Sequence, residues 1–338
     1  YEIPKRNWSS DVCSSDLTGA RLPLDGSGGH REPRGVPRRH ASLQYFTCSQ
    51  SRSHFLRHVK GLPHVTQIFE GLGATSGRIR GMGEYVRFER TGAVVRITLD
   101  QPEKRNALSL PVLRELTDAF AAAGKTDATG VVLAAEGPVF SAGHNFGDML
   151  GADYAATFEV FDTCTRMMKV VQSIPQVVVA RVHALATAAG CQLVATCDLA
   201  VAADTASFAI PGGKGGLFCH TPLVAVARNL GRKRALEMAL TGDAIDAQTA
   251  LDWGFVNSVV PADQLDEAVD NLLARATRGS AQSKGLGKQA FYRQIDMSQD
   301  EAYAYAVGMM AAAATTPDAQ EGIAAFLAKR QPNFGGAS

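Results

Sequence analysis

Hydrophobic and polar positions divide the chain into an irregular beginning and a long patterned remainder. Residues 93–100, AVVRITLD, are rich in β-branched side chains and predict a strand that pairs with the alternating segment 85–90 as a hairpin. Unbroken apolar runs at 130–135 and 177–182 are typical of strands buried on both faces of a parallel sheet. Because helical periods separate these strands, the pattern predicts an α/β fold.

Helical patterns fill the spaces between the strands and then the C-terminal part of the chain. Ser109 is a suitable N-cap, and Pro111 falls in the first turn of a helix that reaches about residue 123. Further helices and short strands are predicted at 154–172 (helix), 189–196 (helix), 199–203 (strand), 247–254 (helix after Asp246), 256–260 (strand), 263–277, 280–292, 299–314 and 317–329 (helices). This order predicts an α/β core at 82–275 and a helical C-terminal subdomain at 276–338.

Residues 1–81 differ from the rest in composition and charge. They hold 12 of the 34 Lys and Arg but 6 of the 33 Asp and Glu, and they show no sustained period. We therefore expect a disordered extension or residues foreign to the native protein. The stretch 11–17, DVCSSDL, resembles the translation of a sequencing-library adapter, and Met82 is the first methionine, so Met82 is the predicted native start. The alternative is a mitochondrial presequence, because transit peptides are also rich in Arg and poor in acidic residues.

Overall composition excludes several classes of protein. The chain has 338 residues, of which 46% are hydrophobic, and this fraction is ample for a core and excludes wholesale disorder. A formal net charge of +1 argues against a nucleic-acid binder that depends on bulk electrostatics. The six cysteines form no CxxC pair, which favours a reducing compartment over a disulfide scaffold or a zinc site. No apolar run approaches the roughly 18 residues of a transmembrane helix.

Two loops carry the candidate chemistry. Residues 139–149, VFSAGHNFGDM, follow a predicted strand, and residues 185–198, LATAAGCQLVATCD, pass from small residues into a helix. Small residues let a ligand approach backbone N–H groups, and the helix N-terminus adds a partial positive charge of roughly half a unit. Two such loops can direct two N–H donors at one oxygen atom, which is an oxyanion hole. Small residues at a helix start also occur where helices pack tightly, so spacing alone leaves both interpretations open.

These loops, together with 99–109, LDQPEKRNALS, resemble the crotonase superfamily of enoyl-CoA hydratases and isomerases. Residues 241–260, TGDAIDAQTALDWGFVNSVV, and 320–334, QEGIAAFLAKRQPNF, also resemble family segments, so the resemblance covers about residues 85–334. It implies a ClpP/crotonase-like fold of repeated ββα units whose C-terminal helices form a homotrimer or a dimer of trimers. It also implies binding of an acyl-CoA thioester in fatty-acid metabolism. Coenzyme A is then part of the substrate, and no separate cofactor, metal, nucleic acid or membrane is expected.

The resemblance also implies roles for individual residues. The N–H groups of His144 and Ala189 would form the oxyanion hole; the family usually has glycine at the second position, and alanine keeps the N–H if its φ is negative. Lys104 and Arg105 lie in the loop that wraps the nucleotide end of coenzyme A, although plain surface charge is the alternative. Other expected substrate contacts are Ala107, Ala142, Asn145, Phe146, Pro211, Gly212 and Cys219. Lys329 and Arg330 match positions that reach a neighbouring subunit's ligand.

The chain departs from the family where protons would be transferred. Family hydratases use two glutamates, and Gln192 and Gly212 stand at those positions here. An amide cannot act as a general base and glycine has no side chain, so ordinary water addition is not expected. Gln192 either orients a water or the substrate, or it merely satisfies polar backbone groups. Asp148 and Glu159 are the nearest acidic residues downstream of the first loop, and we expect them to cap helices or lie on the surface.

Three functions therefore stay open: a hydratase-like enzyme that stabilises a thioester enolate, a decarboxylase or isomerase that uses the same enolate, and a non-catalytic acyl-CoA-binding protein. Decarboxylation of a malonyl-type thioester needs no base, and some family decarboxylases share the AGH that ends at His144, but Cys219 replaces their tyrosine.

The neighbours Cys219 and His220, expected in a loop, also suggest a nucleophilic pair, with simple burial of the thiol as the alternative. We expect a cytoplasmic location if Met82 is a bacterial start, and the mitochondrial matrix otherwise.

Overall fold

The structure is a computed structural model that describes residues 79–335. Most of the predicted extension, residues 1–78, lies outside the described residues, as do 336–338. The strands are β1 (Ile79–Met82), β2 (Val86–Thr91), β3 (Val94–Leu99), β4 (Gly130–Ala135), β5 (Val177–Val182), β6 (Ala186–Thr187), β7 (Leu199–Ala203), β8 (Ser207–Ala209), β9 (Ile245–Asp246) and β10 (Ser258–Val260). Seven of them form the main sheet in the order β1-β2-β3-β4-β5-β7-β10, and β6-β8-β9 form a small second sheet.

Parallel pairing in the main sheet explains why the two candidate loops can meet. After the antiparallel β1-β2-β3 meander, β3 pairs in parallel with β4, β4 with β5, β5 with β7 and β7 with β10. The carboxyl ends of parallel strands lie at one edge of the sheet, where ligands of open α/β sheets usually bind. The loop that contains His144 follows β4, and the loop that leads to Ala189 follows β5. Both loops therefore leave the sheet side by side.

Helices cover both faces of this sheet. They are α1 (Leu110–Ala123), α2 (Tyr154–Ser173), α3 (Ala189–Thr196), α4 (His220–Asn229), α5 (Arg232–Thr241), α6 (Ala247–Asp252), α7 (Leu265–Thr277), α8 (Ala281–Gln294), α9 (Gln299–Ala314) and α10 (Pro317–Leu327). Leu133 of β4 packs into the larger cluster with α1 and α2, whereas Val132 faces the opposite way with Val269 of α7. Successive residues of β4 thus face opposite cores, which is why its sequence is an unbroken apolar run.

The pattern along the chain predicts most of this architecture. The bounds of β4, β5, α3, β7 and α9 agree with the expected ranges, and the order of two strands and a helix recurs in β2–β3–α1, β5–β6–α3 and β7–β8–α4. The pattern does not predict β1, α4, α5 or the small sheet, whose strands of two or three residues are too short to show a period. No helix in the described part of the chain is both long and apolar enough to cross a membrane.

Candidate functional site

The loops that follow β4 and β5 lie in direct contact. Phe140 N–H donates to the Leu185 carbonyl at 2.9 Å, and Thr187 N–H donates to the Ser141 carbonyl at 3.0 Å. Gly143 has a φ of 85°, and a Cβ there would lie 2.8 Å from the Ala188 Cβ and 3.2 Å from the Ala189 nitrogen. Only glycine allows this close approach, because it tolerates positive φ and has no side chain. The residue before His144 is thereby pressed against the start of α3.

The N–H groups of His144 and Ala189, which the sequence predicts as the pair of donors, have no acceptor among the described residues. Their neighbours are paired: the Leu108 N–H donates to the Gly143 carbonyl at 2.7 Å, and the Ala188 N–H donates to the Ala209 carbonyl at 2.9 Å. Ala189 is the first residue of α3, where an N–H has no partner within the helix. The N–H groups of His144 and Ala189 are thus two free donors on adjoining segments, and their joint use of one ligand oxygen stays a prediction.

Backbone strain lies at the residue before Ala189. Ala188 has φ 50° and ψ −118°, a conformation that suits glycine, whereas Ala189 is absent from the positive-φ residues of the described chain. Ala189 therefore meets the condition on φ that the sequence analysis sets for it, and the strained backbone lies one residue earlier, at Ala188. Such conformations cost about 1–3 kcal/mol and concentrate at ligand-binding segments. Here the Ala188 carbonyl also accepts from the Gln192 N–H at 3.0 Å, which helps to hold the strained residue.

Gln192 brings a buried polar side chain without a partner to this helix start. The residue is 5% exposed, and its Oε1 makes no hydrogen bond in the described part of the chain. Long side chains of a helix usually lean toward its N-terminus, so we expect the carboxamide of Gln192 near the turn that contains Ala188 and Ala189. The carboxamide oxygen makes no hydrogen bond to a backbone group of the described chain. Of the two predicted roles for Gln192, orientation of a water or of the substrate therefore keeps its support.

Gly212 has no room for a side chain. It lies in a short 3₁₀ turn, Pro211–Gly215, and a Cβ on it would lie 2.1 Å from the Leu217 carbonyl oxygen and 2.7 Å from the Cys219 sulfur. The backbone of this turn would have to move before a glutamate could occupy the position. The structure therefore leaves no space for an acidic side chain at Gly212.

Cys219 is a buried neutral thiol. Its Sγ accepts a hydrogen bond from the Gly212 N–H at 3.3 Å, and burial raises the pKa of the thiol. The expectation that Cys219 and His220 share a loop is wrong: Cys219 is the N-cap of α4 and His220 its first residue, in exposed surroundings beside Phe218. The sequence missed this helix because its start has neither a Ser, Asp or Asn cap nor a clear period. A raised thiol pKa does not suit a nucleophile, which acts as the thiolate.

The residue His144 is half-buried, and both nitrogens of its ring are buried polar atoms without a partner among the described residues. Neither Nδ1 nor Nε2 makes a hydrogen bond in the described part of the chain, and the ring packs edge-on against Phe161 at 5.1 Å. Burial lowers the pKa of this imidazole, against the weaker influence of the nearby Leu108 backbone and Asp148 carboxylate. A neutral imidazole offers one N–H donor and one acceptor nitrogen.

The acidic residues near the first loop have structural roles, as expected. Asp148 accepts from the Leu110 N–H at 2.8 Å, so it caps α1 from outside the helix, and it also accepts from the Asn145 side chain at 2.9 Å. Glu159 pairs with Arg114 on the surface. In the described chain, no group of three or more His, Cys, Asp or Glu residues is placed to hold a metal ion.

Lys104 and Arg105 are exposed, and neither forms an ion pair with another described residue. Arg105 and Asn106 both have positive φ, at 53° and 49°. The buried Asn106 carboxamide fixes this turn, because it donates to the Glu136 and Val139 carbonyls and accepts from the Gln101 N–H. The Arg105 carbonyl in turn accepts from the Ala142 N–H at 3.0 Å, which places the two cations beside the first loop.

The sequence analysis did not identify two residues that position these loops, Asn106 and Ser141. Besides Asn106, the fully buried Ser141 donates to the Asn106 carbonyl at 2.8 Å and accepts from the Gly143 N–H at 3.3 Å. These bonds join the basic loop to the first loop, and a Cβ on Gly190 would meet Ser141 as well. The only hint in the sequence was that both are polar residues inside otherwise small or apolar stretches.

The remaining predicted residues are placed as follows. Ala107, Ala142, Pro211 and the side chain of Asn145 are half-buried, whereas Phe146 is 73% exposed at the mouth of the first loop. Arg330 forms a two-pronged ion pair with Glu321, with N–O distances of 2.6 and 2.8 Å, and Lys329 is exposed. Whether Lys329 or Arg330 reaches a second subunit stays a prediction.

Comparison with known proteins gives this fold and site a family. Residues 89–337 match the family described as Enoyl-CoA hydratase/isomerase, and the chain belongs to that family. The mitochondrial enoyl-CoA hydratase domain-containing protein 3 of Rattus norvegicus is 46% identical over 240 residues, which cover 70% of this chain and 79% of the relative. The segments GPVFSAGH, LATAAGCQLVA and GLFCHTP predict this same group, and the relatives confirm it.

Solved structures agree with this assignment. The crystal structure of human enoyl Coenzyme A hydratase domain-containing protein 3 has a TM-score of 0.71 at 41% identity and covers 74% of this chain and 100% of that chain. An enoyl-CoA hydratase of Mycobacterium smegmatis has a TM-score of 0.70 at 41% identity, over 76% of this chain and 98% of that chain. These similarities confirm the predicted crotonase fold with a helical C-terminal region.

Proposed function

We propose that this protein binds an acyl-CoA thioester and stabilises enolate-like negative charge on the thioester oxygen with the N–H groups of His144 and Ala189. The observation that carries the proposal is that both donors are free while their neighbours are paired, on segments held together by Gly143. The Ala189 donor also lies at the N-terminus of α3, where the helix dipole favours negative charge. Removal of one such donor typically costs about 3 kcal/mol of transition-state stabilisation.

The exposed cations of the basic loop support recognition of the coenzyme A phosphates. Lys104 and Arg105 have no acidic partner among the described residues, so both are free to pair with anions. The bond from Ala142 to Arg105 keeps them next to the proposed thioester site. Ala107, Ala142 and Phe146 would then line the path between the nucleotide end and the acyl group.

Ordinary hydration is not part of the proposal, because the site lacks an acid and a base. Gln192 cannot exchange a proton at neutral pH, and Gly212 has neither a side chain nor room for one. Loss of carbon dioxide from a malonyl-type thioester would still form an enolate without a base. The lack of space for a side chain at Gly212 supports a second candidate function to the same degree as decarboxylation. This candidate is an acyl-CoA-binding protein that performs no reaction.

Assembly into a homotrimer or a dimer of trimers is part of the same proposal. The C-terminal helices expose large apolar side chains, namely Phe291, Ile295, Tyr303, Val307, Met310 and Phe326. Tyr303, Val307 and Met310 follow one face of α9 at helical spacing. Contact with further copies of the chain would bury this face.

The cellular location has support from the relatives. The rat relative is named as mitochondrial, which supports the matrix as the location of this protein. The cytoplasmic location that depends on Met82 as the start stays a prediction.

Binding and turnover should be measured separately. We expect hexanoyl-CoA to bind at least tenfold more tightly than S-hexyl-CoA, its thioether analogue, because the thioether has no carbonyl oxygen for the two N–H groups. Hydration of crotonyl-CoA and decarboxylation of malonyl- and methylmalonyl-CoA should be assayed on the same preparation. Turnover of a malonyl-type thioester alone would identify a decarboxylase. Binding without any turnover would identify the non-catalytic protein, and equal binding of thioester and thioether would contradict the proposed site.

A further inference from the structure

The sulfur of Cys219 lies beside the start of α3. Strand β8 pairs in parallel with β6, so the segments that follow these strands, which lead to Gly212 and to α3, leave the small sheet side by side. The Gly212 N–H donates to Cys219 Sγ at 3.3 Å. Burial raises the pKa of the Cys191 thiol on α3, and the nearby Cys219 raises it further, so the two sulfurs are neighbours. Cys191 follows Ala189 by two residues, or about 3 Å along the helix axis.

The thiol of Cys219 is suited to give a proton. Burial raises its pKa, so the sulfur keeps its proton at neutral pH. Its S–H has no acceptor in the described part of the chain, whereas the Cys197 thiol donates to the Leu193 carbonyl at 3.3 Å. The Gly212 N–H that already bonds to the Cys219 sulfur would stabilise the thiolate left after the proton has gone. A neutral thiol with a free S–H is therefore present next to α3.

Unpaired polar groups around this thiol indicate that a ligand occupies the same place. Gln192, the residue after Cys191, is 5% exposed, and its Oε1 has no hydrogen-bond partner among the described residues. Buried polar atoms in folded proteins are nearly always hydrogen-bonded. The N–H groups of His144 and Ala189 also lack acceptors in the described chain. The Cys219 thiol thus borders a group of atoms whose hydrogen bonds a bound molecule would complete.

We propose that Cys219 is the proton donor of this site: after a malonyl-type thioester has lost carbon dioxide, the Cys219 S–H protonates the α-carbon of the enolate. The inference rests on the proposed function, because the N–H groups of His144 and Ala189 hold the enolate oxygen. The bond from the α-carbon to the carboxylate breaks, and its electron pair forms the enolate. A C–H bond then forms as the S–H bond breaks, and the thiolate takes up a proton from the solvent. The thiol supplies an acid but no base, so it serves decarboxylation and not the addition of water.

Decarboxylation of methylmalonyl-CoA in D2O by the full-length protein tests the inference. A donor fixed on one side of the enolate delivers deuterium to one face, so one enantiomer of 2-deuteriopropionyl-CoA should form in at least about tenfold excess. In Cys219→Ala the two enantiomers should form in about equal amounts. Release of carbon dioxide should change by less than about threefold in this variant, because breakage of the C–C bond needs no acid. Cys164→Ala, at a buried thiol of α2, is the matched control and should keep the excess.

The outcomes separate this inference from the proposed function. Equal amounts of the two enantiomers from the unaltered protein, or an excess that survives in Cys219→Ala, overturn the inference, because the solvent or another group then gives the proton. Binding of methylmalonyl-CoA without release of carbon dioxide also overturns it but leaves acyl-CoA binding intact. If neither butyryl-CoA nor methylmalonyl-CoA binds, the proposed function itself fails. Cys219→Val, which fills the space without an S–H, replaces Cys219→Ala if that variant does not fold.

Discussion

Two buried polar regions of this protein differ in how completely their groups are paired. Asp198, at the start of β7, accepts from the Val178 N–H at 2.7 Å, the Lys288 ammonium at 2.8 Å and the Tyr292 hydroxyl at 2.9 Å. Lys288 also donates to the Val171 and Gln176 carbonyls. Burial and the Asp198 charge raise the pKa of Tyr292, so its hydroxyl stays a donor. Every charged atom of this cluster has a partner.

The candidate site shows the opposite arrangement. The N–H groups of His144 and Ala189, the His144 ring and the Gln192 Oε1 lack partners among the described residues, and Ala188 is strained. The Asp198 cluster joins α8 to the sheet, and its charged groups are all engaged with partners inside the protein. The second leaves its groups available, which is the state expected of a site whose hydrogen bonds are completed by a ligand.

The largest expected effect comes from removal of one partner in the paired cluster. Lys288→Ala should lower the free energy of unfolding by about 3–5 kcal/mol, because it leaves the Asp198 carboxylate buried and without its cation. Urea unfolding at a fixed protein concentration measures this loss. Lys214→Ala, which breaks the exposed pair with Asp243, is the matched control and should cost less than about 1 kcal/mol. Similar losses in the two variants would show that the buried cluster contributes no more than a surface pair.

A smaller effect of opposite sign is expected in the site. Ala188→Gly should raise the free energy of unfolding by about 1 kcal/mol, because relief of the strained φ of 50° exceeds the added chain entropy of glycine. Ala189→Gly has no positive φ to relieve and should instead lower stability by about 0.5–1 kcal/mol. Thermal unfolding of both variants provides the measurement. If Ala188→Gly is the less stable of the two, the strain assigned to Ala188 is wrong.

The smallest effect concerns pH. Burial lowers the pKa of His144 in the folded protein below its ordinary value of 6.5, so the unfolded chain binds the proton first as pH falls. Stability from this residue is therefore present above about pH 6.5 and is lost as pH falls through the folded pKa, with a slope of at most about 1.4 kcal/mol per pH unit. His144→Leu should flatten the pH dependence of unfolding in this window. An unchanged profile would mean that His144 is not held neutral.

Periodicity and sequence motifs predict much of the fold and of the candidate site, but not all of either. The apolar runs of β4 and β5 predict a parallel sheet, and parallel strands bring their following loops to one edge, so the contact between the loops that contain His144 and Ala189 is foreseeable. The strain at Ala188 is not, because it depends on how β6 pairs with β8 in strands of two and three residues. The lack of space at Gly212 is equally hard to foresee, since it arises from Leu217 and Cys219 in the segment just before α4, a helix that the sequence does not predict.

The paired cluster is also invisible in the sequence. Asp198 and Lys288 lie far apart along the chain, and each looks like an ordinary surface charge in its own segment. Only the packing of α8 against the sheet brings them together and excludes water. Long-range contacts of single residues leave no local pattern, whereas repeated elements do.

A crystal structure with butyryl-CoA bound is the most direct test of the central claim. We predict that the thioester oxygen lies about 2.7–3.1 Å from the backbone nitrogens of both His144 and Ala189, on the line of each N–H. A thioester oxygen more than about 4 Å from either nitrogen, or bound instead by side chains, would contradict the claim.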